Sequence, residues 1–575
     1  MTATPRLRRV VEVAMASTSD HTTAFPKIEA ACPKLEHEQI AALEKFAQPR
    51  KFKAGETLLA VAENELKLFV IKNGELEVRN GATDEVVVVL GPRQFTGELD
   101  LLAGRPSAVC VVARSDGDAW KVSAEALRKI LREMPALSDL LLRAFLMRRE
   151  LIEELGLAAV RVIGSRYSKD THRIREFLAR NKIPFSWIDL ENDRQVDALL
   201  KRFHVAAEET PVVICGEDHI LRNPPNETLA DCLGIRKPVE HTIYDLVIIG
   251  AGPAGLAAAV YGASEGLKTL LLDKIGPGGQ ASSSSKIENY MGFPTGLAGS
   301  DLAERAVIQA EKFGATLSTP EEVVALEDRD GYHHLRLKRN EDVSTRCVLI
   351  SSGARYRKLD LPNNDHFEGN GIYYAATRVE APLCRHAHVV VVGGGNSSGQ
   401  AAVFLSQHAE QVFVVVRGDD LARSMSHYLI CRIEDTPNIE VRTRTEVTDL
   451  IGGKWLERVE LTNRATGEKE TLNCPAVFVF IGAVPHTAWL PPAIKLDAKG
   501  FVQTGQQVAE SGAWRLQRQP FMLETALPGV FAAGDVREGS IKRVAAAVGE
   551  GSMAVQFVHQ FLAASQKDVA AATLA

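Results

Sequence analysis

Asp245-Leu246-Val247-Ile248-Ile249-Gly250-Ala251-Gly252-Pro253-Ala254-Gly255 is the stretch that decides the fold of the second half of this chain. An apolar run ends at three glycines spaced G-x-G-x-x-G and passes into an Ala-rich segment, the pattern of a buried strand turning into a close-packed helix. Gly250 permits the tight turn, Gly252 lets backbone approach a pyrophosphate, and Gly255 lets the helix lie close to the sheet. The next strand, Thr269 to Leu272, ends at Asp273, where a carboxylate can accept hydrogen bonds from a ribose. Leu246 to Ala263 carries no charge over 18 residues and so imitates a membrane span. Its Gly and Ala content, Pro253 and the preceding Asp245 favour the strand-to-helix turn, and no membrane span is expected.

A second start of the same kind follows. The strand Val389 to Val392 runs into Gly393-Gly394-Gly395-Asn396-Ser397-Ser398, and the strand after it, Val412 to Val416, ends at Arg417 with Arg423 nearby. Arginine at that point suits a ribose 2'-phosphate, the alternative being a surface arginine on a loop. A third segment, Gly529-Val530-Phe531-Ala532-Ala533-Gly534-Asp535, closes a strand ahead of a helix near Ala545 to Leu562. Two nucleotide-binding units in one polypeptide predict two different nucleotides.

Working back toward the N-terminus, short strands at Leu66 to Ile71, Leu76 to Arg79, Glu85 to Leu90 and Val109 to Ala113 predict a small barrel or sandwich. A helical pattern from Ser123 to about Leu155 follows, divided at Pro135. Next come a strand at Ala159 to Ile163, a helix at Asp170 to Arg180, a strand at Phe185 to Asp189, a helix at Asn192 to Arg202 and a strand at Pro211 to Cys215, which together make a small α/β unit.

The 575 residues exceed one folding unit, and a net charge of -6 with interspersed signs gives no support to a nucleic-acid partner. The eight cysteines are nowhere closer than 17 positions, which excludes a C-x-x-C, a zinc-type cluster and a disulfide scaffold. No metal site is expected. The first twenty residues are too weakly apolar for a signal peptide, so a cytoplasmic location is expected.

The stretch from Tyr244 to about Leu562 resembles the low-molecular-weight thioredoxin reductases and their relatives. It carries the Gly250-to-Gly255 start, the Gly278-Gly279-Gln280 and Glu288-Asn289-Tyr290 segments, the central Gly-Gly-Gly-Asn-Ser and the closing Ala-Ala-Gly-Asp. The resemblance implies FAD and NADPH as cofactors, with NADH as the alternative. It also implies a homodimer. The cofactor-binding positions are then Gly250, Gly252, Pro253, Ala254, Gly255, Asp273, Gly279, Gln280, Asn289, Gly534, Asp535, Arg543 and Val544, with Gly393, Gly395, Asn396, Ser397, Arg417 and Arg423 on the nicotinamide side. In those reductases two redox cysteines precede the second glycine strand. Here the stretch reads Tyr374-Ala375-Ala376-Thr377-Arg378, with Ala375 and Arg378 at the cysteine positions, and the closing helix has Arg543-Val544 in place of an Arg-Gln pair.

Residues 55 to 110 resemble a cyclic-nucleotide-binding domain, with Gly97 and Glu98 in its phosphate cassette and Ser107 where that cassette places a phosphate-binding arginine. A cyclic nucleotide or another small ligand is the implied partner, with a scaffold retained for packing as the alternative. The unit from Val160 to about Cys232 resembles a glutaredoxin or thioredoxin fold, with Thr210-Pro211 where that family has a cis-proline. Ser165 and Ser168 occupy its two cysteine positions.

The expected organisation is multidomain. A jelly-roll β-barrel of cyclic-nucleotide-binding type spans 24–155, and a thioredoxin-like α/β domain lacking C-x-x-C spans 156–235. Two Rossmann-like α/β domains complete it, for FAD at 242–368 and 485–565 and for NAD(P)H at 369–484. The expected function is an FAD-dependent NAD(P)H oxidoreductase that hands electrons to an unidentified non-dithiol acceptor, a quinone, a ferredoxin-like protein or oxygen, with no covalently catalytic side chain. Two alternatives stay open: an atypical disulfide reductase using a partner's thiols, and a ligand-gated flavin-containing sensor.

Overall fold

The computed structural model describes residues 24–60, 67–80, 84–103, 107, 109–154, 160–191, 206, 209–215, 219–237, 239–240, 242–377 and 379–574. Its contacts divide the chain into two units. The first comprises 1–163, 182–236 and 311–314, and the second comprises 164–181, 237–310 and 315–575.

In the first unit, alternating apolar strands form two antiparallel sheets. One has the order Gln48–Phe52, Gly117–Ser123, Lys67–Asn73, and the other Thr57–Leu59, Val109–Ala113, Leu76–Asn80, Val86–Leu90. Leu68, Val70, Ile71, Leu76, Phe95, Val111 and Val122 are buried. The helical stretch is cut where Pro135 predicts, into Ala124–Glu133 and Pro135–Glu154. Arg149 of the longer helix makes a buried 2.7 Å ion pair with Asp100, which opens the short helix Asp100–Ala103.

A further sheet in this unit has the order His219–Arg222, Val212–Cys215, Val160–Gly164, Phe185–Asp189, and the Thr210-Pro211 peptide before it is cis. The helix expected at Asn192 to Arg202 lies outside the described residues. The helix Lys169–Arg180, whose sequence lies between strands of that sheet, counts by its contacts with the second unit, so the segment 156–235 is shared between the two.

The second unit holds two mainly parallel sheets whose central parallel strands are buried on both faces, as sheets covered on both sides require. The first runs Thr316–Ser318, Thr269–Leu272, Tyr244–Ile249, Asp342–Ile350, then the antiparallel Tyr332–Leu337 and Val323–Arg329, and Val530–Ala532 also pairs in parallel with Asp342–Ile350. The second runs Ile372–Tyr373, Ala476–Val479, His388–Val392, Gln411–Val415, Ile439–Arg442. A two-stranded antiparallel ribbon, Ala354–Tyr356 with Ala483–Pro485, stands at the entry to and exit from the second sheet's domain. Among the described residues no helix is long and apolar enough to cross a membrane.

Candidate dinucleotide sites

Each parallel sheet carries a glycine turn at the carboxyl end of its central strand. At the first, Gly250 has φ +105°, and a Cβ there would lie 2.3 Å from the Ser351 carbonyl oxygen, so only glycine fits. Gly255 is equally constrained by the Gly250 carbonyl. Gly252 differs: a Cβ there would come no closer than 4.0 Å to any neighbour, the Cα of Gly279, which leaves an open backbone cradle over the start of the helix Pro253–Ser264. Pro253 is the first residue of that helix, where a missing N–H costs nothing. Ala254 packs below Gly534 and Gly551, so that the closing helix Val544–Leu574 rests directly on the glycine helix.

Asp273 is closely engaged. Its Oδ2 accepts from Ala251 N–H at 2.8 Å and its Oδ1 from Ile275 and Gly276 N–H at 2.9 Å each, which ties the glycine turn to the following loop. A carboxylate has about four acceptor sites, so one remains for a ribose hydroxyl. Gly278 N–H donates to the Ala251 carbonyl at 2.7 Å, Gly279 faces Gly252, and the Gln280 side-chain amide donates to the Ala354 carbonyl. Asn289 is exposed.

Gly534 N–H donates to Glu550 at 2.7 Å, and Glu550 is also paired with Arg537 at 2.6 Å. Beside them burial pushes the Asp535 carboxyl above its ordinary range, with Lys542 pulling the other way and Glu550 adding to the rise. A carboxyl kept short of solvation beside a glycine cradle suits a hydroxyl group of a ligand. Arg543 is exposed and Val544 begins the closing helix half-buried.

The second turn repeats the mechanics. Gly393 has φ +136° and a Cβ would lie 2.4 Å from the Phe480 carbonyl oxygen, while Gly395 has no described atom within 4 Å of such a Cβ. Asn396 opens the helix Asn396–Leu405, and its side chain accepts from Ser426 N–H at 2.7 Å. Arg417 and Arg423 are both exposed near the end of the Gln411–Val415 strand, whereas the neighbouring Arg444 is spent on Asp419 at 2.7 Å. Sequence reasoning missed Tyr356. Its hydroxyl is hydrogen-bonded to Ser397, its ring meets Phe480 edge-on at 5.4 Å, and burial raises its pKa.

The stretch where the resembled reductases keep their cysteines lies against the first site: Ala376 forms a parallel bridge with Ser284, in the loop that follows Gln280. Thr377 is held by Glu380 through its N–H at 2.8 Å and its hydroxyl at 2.6 Å. Cys384 nearby is fully buried, and that burial raises its thiol pKa strongly. Arg378 lies outside the described residues.

The helix Lys169–Arg180 also reaches this region. Arg175 donates to the Val379 carbonyl at 2.8 Å, and Asn181, at the helix end, donates to the Ile275 carbonyl at 2.8 Å and accepts from Thr319 at 3.0 Å. Ser165 and Ser168 both serve the backbone, accepting from Tyr167 and Thr171 N–H, and Tyr167 stacks on Trp455 at 4.5 Å.

In the first unit Gly97, Glu98 and Ser107 line one mostly apolar cavity of about 110 Å³ with Val78, Val88 and Arg148. Ser107 is taken up by Val109 backbone groups. Arg148 lies in the helix Pro135–Glu154, far from the cassette in sequence. It donates to the carbonyls of Ala31, Phe95 and Gly97 and stacks on Phe95 at 4.7 Å.

Comparison with known proteins agrees with this layout. Residues 49–134 match the cyclic nucleotide-binding domain family, and 244–551 match the pyridine nucleotide-disulphide oxidoreductase family. Thioredoxin reductase of Treponema pallidum is 34% identical over 321 residues, 56% of this chain and 98% of that protein. The Bacillus subtilis thioredoxin reductase is 32% identical over 328 residues, 56% of this chain and 96% of that protein. Among solved structures, thioredoxin reductase of T. acidophilum superposes with TM-score 0.50 at 28% identity over 55% of this chain and 98% of that one. With its glycine turns, sheet orders and more than half of its length in agreement, this chain belongs to the pyridine nucleotide-disulphide oxidoreductases, in a thioredoxin reductase-like form joined to an N-terminal cyclic nucleotide-binding domain.

Proposed function

We propose that the protein is an FAD-dependent NADPH oxidoreductase whose electron acceptor is not a dithiol: a quinone, a ferredoxin-like protein or oxygen. The observation that carries this reading is the bridge between Ser284 and Ala376, which sets a cysteine-free segment against the loop of the first glycine site. Thiol-disulfide exchange needs a thiolate there. The Tyr374–Thr377 stretch has none, and Cys384 is held neutral by burial.

Gly250, Gly252, Gly255 and the N-terminus of Pro253–Ser264 would hold the FAD pyrophosphate, Asp273 its ribose, and Asp535 a further hydroxyl. Gly393, Gly395 and Asn396–Leu405 would hold the nicotinamide dinucleotide, with Arg417 and Arg423 on a 2'-phosphate. When bound, FAD supplies the redox chemistry, taking two electrons from the nicotinamide and releasing them to the acceptor. The protein positions the two dinucleotides, and Tyr356 ties Ser397 of the second site to the ribbon between the two domains.

We read 160–232 as a glutaredoxin-like domain without C-x-x-C, consistent with its sheet order. We read the Glu98 cavity as taking a small ligand other than a cyclic nucleotide, because the Arg148 guanidinium is committed to three carbonyls. A cytoplasmic homodimer completes the proposal.

The test is anaerobic addition of NADPH to the yellow protein, followed by thioredoxin, ferredoxin, quinone and air in separate aliquots. The visible flavin band is expected to bleach and to return with one or more of the last three. Return with thioredoxin alone overturns the reading in favour of a disulfide reductase, and a band that never bleaches overturns it in favour of a sensor.

A further inference from the structure

The Asp100–Arg149 ion pair of the first unit is one link in a longer line. Its two side chains are only 8% and 6% exposed, and Leu101, next to Asp100, lines the Glu98 cavity. Arg149 follows Arg148, which holds the Gly97 carbonyl in the wall of the same cavity. While one terminal nitrogen of Arg149 meets Asp100, the other donates to the Lys182 carbonyl at 3.3 Å. Lys182 has φ +54°, a left-handed conformation that residues with a side chain rarely adopt, so the chain turns sharply there.

The boundary between the two units falls on the peptide bond between Asn181 and Lys182. On its far side the Asn181 side chain is buried in the second unit with both ends in use. Its amide donates to the Phe177 and Ile275 carbonyls at 2.9 and 2.8 Å, and its oxygen accepts from the Thr319 hydroxyl at 3.0 Å. Ile275 N–H in turn donates to Asp273, whose other oxygen holds Ala251 of the first glycine turn. A line of short polar contacts with one covalent link therefore runs from the wall of the Glu98 cavity to the loop that shapes the first dinucleotide site. A buried charge cannot be left without its partner except at high cost, so a shift of Asp100 carries Arg149 with it. The guanidinium is a rigid fork, so the same movement acts on its bond to Lys182.

We propose that the Glu98 cavity and the first dinucleotide site are coupled through Asp100, Arg149, Lys182 and Asn181, so that a ligand seated in the cavity changes the affinity of the first site for its dinucleotide. The proposal rests on the reading of that site as the one for FAD. Coupling between two sites is reciprocal, so FAD at the first site acts back on the cavity wall.

The test is hydrogen–deuterium exchange of the full-length protein, read by mass spectrometry, with FAD bound and with FAD stripped. FAD should slow exchange at 273–280 by direct contact and should change exchange at 97–103 by about threefold or more. Slowing at 273–280 with no change at 97–103 overturns the coupling and leaves the FAD reading standing. Absence of slowing at 273–280 overturns the FAD reading, and the coupling is then decided by a second arm on flavin-free protein. There Asp100→Asn should speed exchange at 273–280 by about threefold or more, and should add nothing in a protein that already carries Asn181→Ala, where the line is cut. The same effect in both backgrounds, or no effect in either, overturns the proposal. Should Asp100→Asn fail to fold, the comparison of wild-type protein with and without FAD decides by itself.

Discussion

Arg432 of the helix His427–Glu434 lies 2.5 Å from Glu288, so a side chain from the nicotinamide-side domain grips the Glu288-Asn289-Tyr290 segment of the flavin-side domain. Burial acts to raise the Glu288 carboxyl, but hydrogen bonds from Arg432 and Lys286 outweigh it and hold the group below its usual range. A depressed carboxylate contributes stability above its unfolded pKa and loses it as pH falls through the folded value. Glu288→Gln should therefore cost no more than about 1 kcal/mol of stability at neutral pH for so exposed a pair, seen as a slightly lower melting temperature. The difference should fade as pH falls below the usual carboxylate range. Melting curves across pH check this, and a difference independent of pH contradicts it.

Asp535→Asn should act in the opposite sense on stability. Burial raises the Asp535 carboxyl, so its contribution is complete below the unfolded pKa and is lost as pH rises through the folded one. Removing the charge is expected to raise the melting temperature of the flavin-free protein at neutral pH while reducing flavin content. Calorimetry on stripped protein and the absorbance ratio of purified protein measure the two effects. A variant that loses both stability and flavin would show that Asp535 is structural.

The glycines of the first turn should separate in the same way. Gly250→Val forces a Cβ onto the Ser351 carbonyl at φ +105° and should give little folded protein. Gly252→Val meets open space and should fold with an unchanged circular dichroism spectrum yet purify colourless. Retained yellow colour would place the cofactor elsewhere.

Arg417→Ala should weaken NADPH by about 1 to 3 kcal/mol, the range for a charge-assisted hydrogen bond, and leave NADH nearly unaffected. Titration of both nucleotides against wild type and variant decides it. Equal losses for the two would show that the guanidinium does not meet a 2'-phosphate.

Asn181→Ala removes a buried side chain that bonds Ile275 and Thr319, and should destabilise the second unit by about 1 to 3 kcal/mol. Because Arg175 of the same helix holds Val379 on the nicotinamide side, the double variant with Arg175→Ala should also change the rate of NADPH-driven bleaching by about threefold or more. An altered melting temperature with an unaltered rate would leave the helix a purely structural strut. A cut at residue 235 would also remove this helix, which belongs by its contacts to the second unit.

What could be read from sequence was what is local. The glycine spacings around Gly250 and Gly393, the Pro135 break and the apolar strands each follow from a few adjacent residues, and the structure has them where they were expected. What escaped depends on chain segments that meet only in the folded state. Arg148 reaches the Glu98 cavity from a helix some fifty residues later, and Glu550 supports Gly534 from the closing helix. Such partners have no fixed sequence offset, so no periodicity or motif announces them.

The short ribbon of Ala354–Tyr356 against Ala483–Pro485 makes the whole nicotinamide-side domain an excursion that leaves and returns at neighbouring points. The entropy cost of closing a loop grows only slowly with its length, so a long excursion between touching ends burdens its host little more than a short one. The excursion should therefore be exchangeable: a tight turn joining Tyr356 to Ala483 would leave the remaining strand order of the host sheet intact, and a foreign domain with adjacent termini could be grafted at the same point.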